Sequence, residues 1–129
     1  MTEKQQFEIE YPINASPKVL FTRLSTAGGL AEWFADDVNL EGGWFTFIWE
    51  GHEQKAELVV SRENRLVRFK WVDEDSDKSY FEFRISQHDI TGDVSLLITD
   101  FAEPDDIEDA INLWDKQINQ LKSLLGSGG

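Results

Sequence analysis

The sequence predicts a single α+β domain: an antiparallel sheet with one long C-terminal helix laid against it. Three observations carry this expectation. Between Phe7 and Phe101, apolar and polar residues alternate with period 2 in a succession of short runs, the pattern of half-buried strands. From Asp105 to Leu125 the period changes: Ile107, Ile111, Trp114, Ile118, Leu121 and Leu125 recur every three or four positions, as on one side of a helix. At 129 residues, 40% of them hydrophobic and 12% aromatic, the chain can build one core but not two.

The elements follow in order. In "FEIEYPI", Phe7, Ile9, Tyr11 and Ile13 alternate with Glu8, Glu10 and Pro12, and a proline inside a strand marks an edge or an end. Ser16 before Pro17 combines an N-cap with a proline in the first helical position, so a short helix with Leu20, Phe21 and Leu24 on its apolar side begins there. A second short helix is expected from "STAGGLAEWFADD", where Leu30, Trp33 and Phe34 fall at i, i+3 and i+4. Strands are then expected at 44–49, 55–61, 66–71, 80–86 and 94–101, joined by short loops into a meander. The acidic run 73–78 between two of them reads as a solvated loop. Acidic residues crowd the first turn of the final helix, lysines come later, and Gly126 stops it, as the helix dipole favours. Residues 1–125 are expected to form the domain and 126–129 ("GSGG") a disordered tail; no internal repeat is present.

Composition excludes several classes of function. The net charge of −13 would repel nucleic-acid phosphates and anionic membranes alike. With no cysteine there is no disulfide, thiolate metal site or thiol nucleophile. The first twelve residues lack the basic and apolar stretches of a signal peptide, and no apolar run approaches the roughly 20 residues of a membrane span. The expectation is a cytoplasmic protein without a membrane-inserted segment, either a monomer or a weak homodimer.

Two stretches, "INASPKVLFTRLSTAGGLAEWFADDV" (13–38) and "LWDKQINQLKSLLG" (113–126), carry a resemblance to the START-like (SRPBCC) superfamily, in the branch related to the Hsp90 ATPase activator. The "EWFADDV" wording is similar to uncharacterised START-like proteins of Bacteroidetes-type bacteria. The resemblance spans nearly the whole chain. It implies the helix-grip fold, in which a curved antiparallel sheet wraps around the C-terminal helix, and a cavity between the two. Mapped onto this sequence by alternation, Tyr11, Phe45, Phe47, Trp49, Leu58, Phe69, Trp71, Phe81 and Phe83 would wall that cavity, with Trp114 and Ile118 opposite. Trp33 and Phe34 would stand at its mouth.

A charge-free apolar lining suits a small hydrophobic or lipid-like ligand. Rings this large could equally fill the space and leave no cavity. The confident inward positions carry no ionisable group. Tyr11, Thr46, Ser95 and Thr99, the candidate interior polar groups, make a poor acid–base set, so no catalytic residue is assigned. His52 and His88 sit in separate turns with too few neighbouring ligands for a metal, and no cofactor is expected. Asp36 and Asp37 read as turn formers. The expectation is therefore a non-enzymatic, ligand-binding START-like module. A co-chaperone or protein-interaction role, as the Hsp90-activator resemblance implies, is the alternative, and a cyclase or hydrolase the third. Trp44, Thr46 and Ile48 give their strand a second, semi-apolar face that a partner or another copy of the chain could cover.

Overall fold

The computed structural model describes residues 4–72 and 80–126. Strand β1 (Gln5–Ile13) leads through helices α1 (Pro17–Ser25) and α2 (Ala27–Leu30) into a meander. The meander runs β2 (Asp37–Glu41), β3 (Trp44–Trp49), β4 (His52–Arg62), β5 (Leu66–Trp71), β6 (Tyr80–Gln87) and β7 (Val94–Ala102). A 3-10 turn (Pro104–Asp106) then opens α3 (Ile107–Gly126). All the strands join one antiparallel sheet in the order β1-β7-β6-β5-β4-β3-β2. This is the α+β, helix-grip arrangement expected from the sequence. The acidic run 73–78 and residues 127–129 of the tail expected at 126–129 lie outside the described residues, while Gly126 is the last residue of α3.

Local chemistry explains the boundaries. The Ser16 hydroxyl accepts from the Val19 N–H at 3.2 Å, and Pro17 follows in a position where its missing N–H costs nothing. Pro12 is tolerated because β1 is an edge strand, paired with β7 alone. Two hairpins close with consecutive residues at positive φ: Gly42 (59°) and Gly43 (88°) join β2 to β3, while Glu50 (48°) and Gly51 (84°) join β3 to β4. This geometry matches the right-handed twist of the flanking strands.

Three details differ from the sequence expectation. β2 is an additional strand, paired along its length with β3. The second helix is only one turn long, closing at Ala31; Trp33 and Phe34 follow it in a turn, although the Phe34 N–H still reaches Leu30 O at 2.8 Å. Strand β4 begins earlier, at His52, and carries a bulge between Leu58 and Val60 that bends it.

One face of the sheet packs on α3, which buries Trp114, Ile118 and Leu121 at i, i+4 and i+7. The opposite face is not all wet. Glu82 lies there at only 4% exposure, accepting from Arg68 at 2.7 and 3.0 Å and lying 3.3 Å from Arg84. Two guanidinium groups lie across one carboxylate, so a charge expected in water is covered by its own counterions. Ser95 and Thr99 share that face, as Ser95 pairs with Ser86 and Thr99 with Glu82, while Thr46 alternates with the buried Phe45 and Phe47. Of the four candidate interior polar groups, Tyr11 alone faces the helix.

Candidate functional site

The space between sheet and α3 is lined by the residues that the alternation brought together, and aromatic rings occupy it. Phe47, Phe69, Phe81, Phe83 and Ile118 are fully buried, and Phe45, Trp33, Phe34, Trp114 and Tyr11 nearly so; Trp49, Leu58 and Trp71 are half-buried at the margin. The rings interlock: Phe69 stacks on Phe81 at 4.9 Å, Phe45 meets Phe69 edge-on at 5.1 Å, and Trp71 lies 4.9 Å from Phe81. Such offset and edge-to-face pairs add about 0.5–1.5 kcal/mol each beyond the burial of their area.

Phe34 is distinctive within this cluster. Apart from the adjacent Trp33, the rings around it project from strands or from α3, whereas Phe34 enters from the connection between α2 and β2. It touches Phe47 at 5.0 Å, Trp49 and Phe81 at 5.3 Å, and stacks on Trp114 at 5.6 Å. Its backbone carbonyl accepts from the Trp49 indole N–H at 2.7 Å and from the Gln117 amide at 2.8 Å, which ties the connection to β3 and α3 together. Trp33 is held separately, its indole N–H donating to Arg23 O at 2.9 Å. Asp36 and Asp37 depart from the turn expected of them: Asp37 opens β2, its side chain accepting from the Val38 N–H at 2.9 Å, and Asp36 reaches across the sheet to accept from the Glu50 N–H at 2.7 Å.

Outside this plug a cleft of about 520 Å³ runs between residues 31–36 and α3, lined also by Trp49, Leu113, Lys116, Gln117 and Gln120. Trp33 and Phe34 form its inner wall. The cleft thus adjoins the aromatic interior, and Leu113 stands exposed at it.

Two carboxylates latch α3 and were not assigned from the sequence. Asp100, at a helix-facing position of β7 two residues beyond Ile98, accepts from the Trp114 indole N–H at 2.9 Å. It is an inward-facing ionisable group where none was expected. Asp115 accepts from the Tyr11 hydroxyl at 2.6 Å, and the Lys122 ammonium lies 5.8 Å from the Tyr11 ring centre. Burial first, then the hydrogen bond and charge of Asp115, raise the Tyr11 pKa well above the usual 10.0. An unfolded tyrosine ionises near pH 10 while folded Tyr11 keeps its proton, so this group's contribution is complete below about pH 10 and fades as pH rises further. Tyr11→Phe should cost about 1 kcal/mol near neutral pH. It should also flatten the loss of stability between about pH 9 and pH 11, as urea unfolding at both values would show. An identical slope in both proteins would contradict this assignment.

Among the described residues no group of three or more His, Cys, Asp or Glu could hold a metal ion. No helix among them is long and apolar enough to cross a membrane.

A sheet curled on a long C-terminal helix, with an aromatic interior and a cleft along the middle of the helix, defines the helix-grip class of domain. The description START-like superfamily domain matches residues 1–127, and the chain belongs to that superfamily. A Bacteroides fragilis protein solved by NMR is 37% identical, with 96% of this chain and 92% of that one covered and a TM-score of 0.67. A structure described as the Aha1 dimer from Colwellia psychrerythraea superposes with a TM-score of 0.78 at 18% identity, covering 94% and 96% of the two chains. A Mesorhizobium loti protein does so with 0.78 at 17%, covering 97% and 99%. No curated protein matches the chain.

Proposed function

We propose that the protein is a non-enzymatic START-like module that takes a small hydrophobic or lipid-like molecule between sheet and α3, admitted through the cleft beside residues 31–36. The observation that carries this reading is the origin of Phe34. It fills the interior from a connecting segment, and turning it out breaks the two bonds to its carbonyl without unpairing a strand or lifting α3, while the Trp33–Arg23 and Asp36–Glu50 bonds keep the flanks of the segment in place. Breaking two such bonds costs about 1–3 kcal/mol and exposing the buried ring about 1.5–3 kcal/mol more, a total that the burial of roughly eight methylene groups of a ligand offsets. The absence of a catalytic role rests on how the inward polar groups are used. Asp100 and Tyr11 are each engaged with α3, which leaves neither set up as a general acid or base against an incoming molecule.

A second reading, a protein-interaction module, draws on the exposed apolar residues Trp44 and Val72, which line a cleft of about 460 Å³ on the outer face with Glu41, Thr46 and Lys55. It also draws on the Colwellia structure being described as an Aha1 dimer. One set of measurements separates the readings. Native mass spectrometry of freshly purified protein should show a co-purified molecule on a single chain. Delipidated protein titrated with oleate should give a saturable change in tryptophan emission that Leu113→Glu weakens several-fold. A flat titration together with a bare chain mass would overturn the ligand reading, and a doubled mass would favour the second.

A further inference from the structure

The largest of the surface cavities described, about 780 Å³, is far from this interior in chemistry. It lies between the start of α1, the β4–β5 turn and the end of β6, and is lined by Ser16, Lys18, Glu63, Arg65, Arg84 and Gln87 among others. In a chain with 12 basic and 25 acidic residues, three cations against one acid is a reversal of the global balance.

The cations are presented from fixed backbone. Lys18 sits in the first turn of α1, whose start is set by the Ser16 cap on the Val19 N–H. Arg65 is pinned on both sides, its N–H donating to Arg62 O at 2.9 Å and its carbonyl accepting from the Ile85 N–H at 2.7 Å. Asn64 beside it holds a positive φ of 61°, a conformation that asparagine tolerates better than most residues. Arg84 comes from β6 and touches Glu82 Oε2 only at 3.3–3.4 Å, while Arg68 makes shorter bonds to Oε1. Its side chain is 51% exposed and retains donors to spare. Among the described residues neither Lys18 nor Arg65 has a side-chain ion pair. Ser16, Ser86 and Gln87 complete the polar lining, with the Ser16 hydroxyl already accepting from the Val19 N–H and the Gln87 amide donating to Gly92 O.

We propose that this groove binds the oxyanion groups of a small polyanion, a phosphate ester or a polycarboxylate. The molecule's net charge of −13 does not forbid it. At physiological salt the screening length is about 8 Å, so an anion seated in the groove responds chiefly to Lys18, Arg65, Arg84 and Glu63 rather than to distant acids. The same screening keeps the affinity modest and strongly salt-dependent.

The test is an amide NMR titration of the intact protein with inorganic pyrophosphate and, separately, with citrate. Saturable shifts should concentrate at residues 16–18, 63–65 and 84–87. Arg65→Gln and Lys18→Gln should each weaken binding about two- to fivefold, and Glu63→Gln should tighten it by a similar factor. Response to pyrophosphate alone would select phosphate chemistry; response to both would select oxyanions in general. No saturable response to either probe, or a response indifferent to Arg65→Gln and Glu63→Gln, would overturn the proposal. These exposed substitutions should leave the oleate response unchanged, so the outcome here is independent of the ligand reading of the interior.

Discussion

Phe34→Ala should lower the stability of the protein by about 3–5 kcal/mol, the range for removing a buried phenyl ring. The ring is 4% exposed and meets Trp33, Phe47, Trp49, Phe81, Phe83 and Trp114. Apart from the adjacent Trp33, those neighbours come from β3, β6 and α3, which are already fixed to one another, so they cannot close in on the space left behind. Urea unfolding followed by far-UV circular dichroism would measure the loss, and a change below about 1 kcal/mol would show that the interior collapses freely around the gap. The substitution also bears on function. A dry apolar cavity of ring size accepts benzene-like probes. Phe34→Ala should therefore take up benzene and bind oleate more tightly than the wild type, since the native plug no longer competes. Weaker oleate binding by a folded Phe34→Ala protein would mean that Phe34 is a contact for the ligand rather than an occupant of its place.

Gln117 makes the same point from the other side of the plug. Its amide was invisible as a functional group in the sequence because α3 reads as a plain apolar stripe, and Gln117 lies beside that stripe rather than on it. Its partner is a backbone carbonyl 83 positions earlier in the chain, and no periodicity reports such a pairing. What the alternation did report was facing: Phe45, Phe47, Phe69, Phe81 and Phe83 all point toward α3. Alternation does not report depth. Glu82 alternates with Phe81 and Phe83 and so falls on the outer face, yet Arg68 and Arg84 lie across it and remove it from water. Nor does alternation settle strands with apolar residues on both faces. In "VSLLITDF" Leu96 and Ile98 share a face with Asp100, but Leu97 on the other face blurs the pattern, so Asp100 was not placed against Trp114.

Strand β2 was missed for a different reason. "DVNLE" offers only Val38 and Leu40 as apolar residues, and Leu40 remains exposed at the edge of the sheet. The stronger signal lay in Gly42-Gly43, a two-residue turn whose positive φ values demand a hairpin and hence a strand before it. Turn chemistry carried the information there, where hydrophobic pattern was too sparse. The helix predicted over Leu30, Trp33 and Phe34 failed in length and held in facing, because a single turn followed by bent backbone still brings positions i, i+3 and i+4 to one side.

The adjacent glycines of α2 should respond oppositely to alanine. At Gly28 a Cβ would meet nothing within 4 Å, and the residue is exposed. Gly28→Ala should therefore be neutral or stabilise by up to about 1 kcal/mol, because alanine loses less backbone entropy on entering a helical turn. Gly29 is buried, and a Cβ there would stand 2.5 Å from Thr22 O, 2.7 Å from the Arg23 Cα and 2.8 Å from the Thr26 hydroxyl. Two of those atoms are backbone of α1, so relief requires the helices to separate rather than a side chain to rotate. Overpacking of this kind costs about 1–3 kcal/mol. The displacement would also carry to the cleft. The Trp33 indole bonds Arg23 O, and Arg23 pairs with Glu32, so shifting α2 from α1 strains the segment that delivers Phe34. Gly29→Ala should thus weaken oleate binding as well as stability, while Gly28→Ala leaves binding as it is. Thermal unfolding and the tryptophan titration on the two variants would test both halves. Equal behaviour of the two glycines would show that the close approach of α1 and α2 does not set the position of residues 31–36.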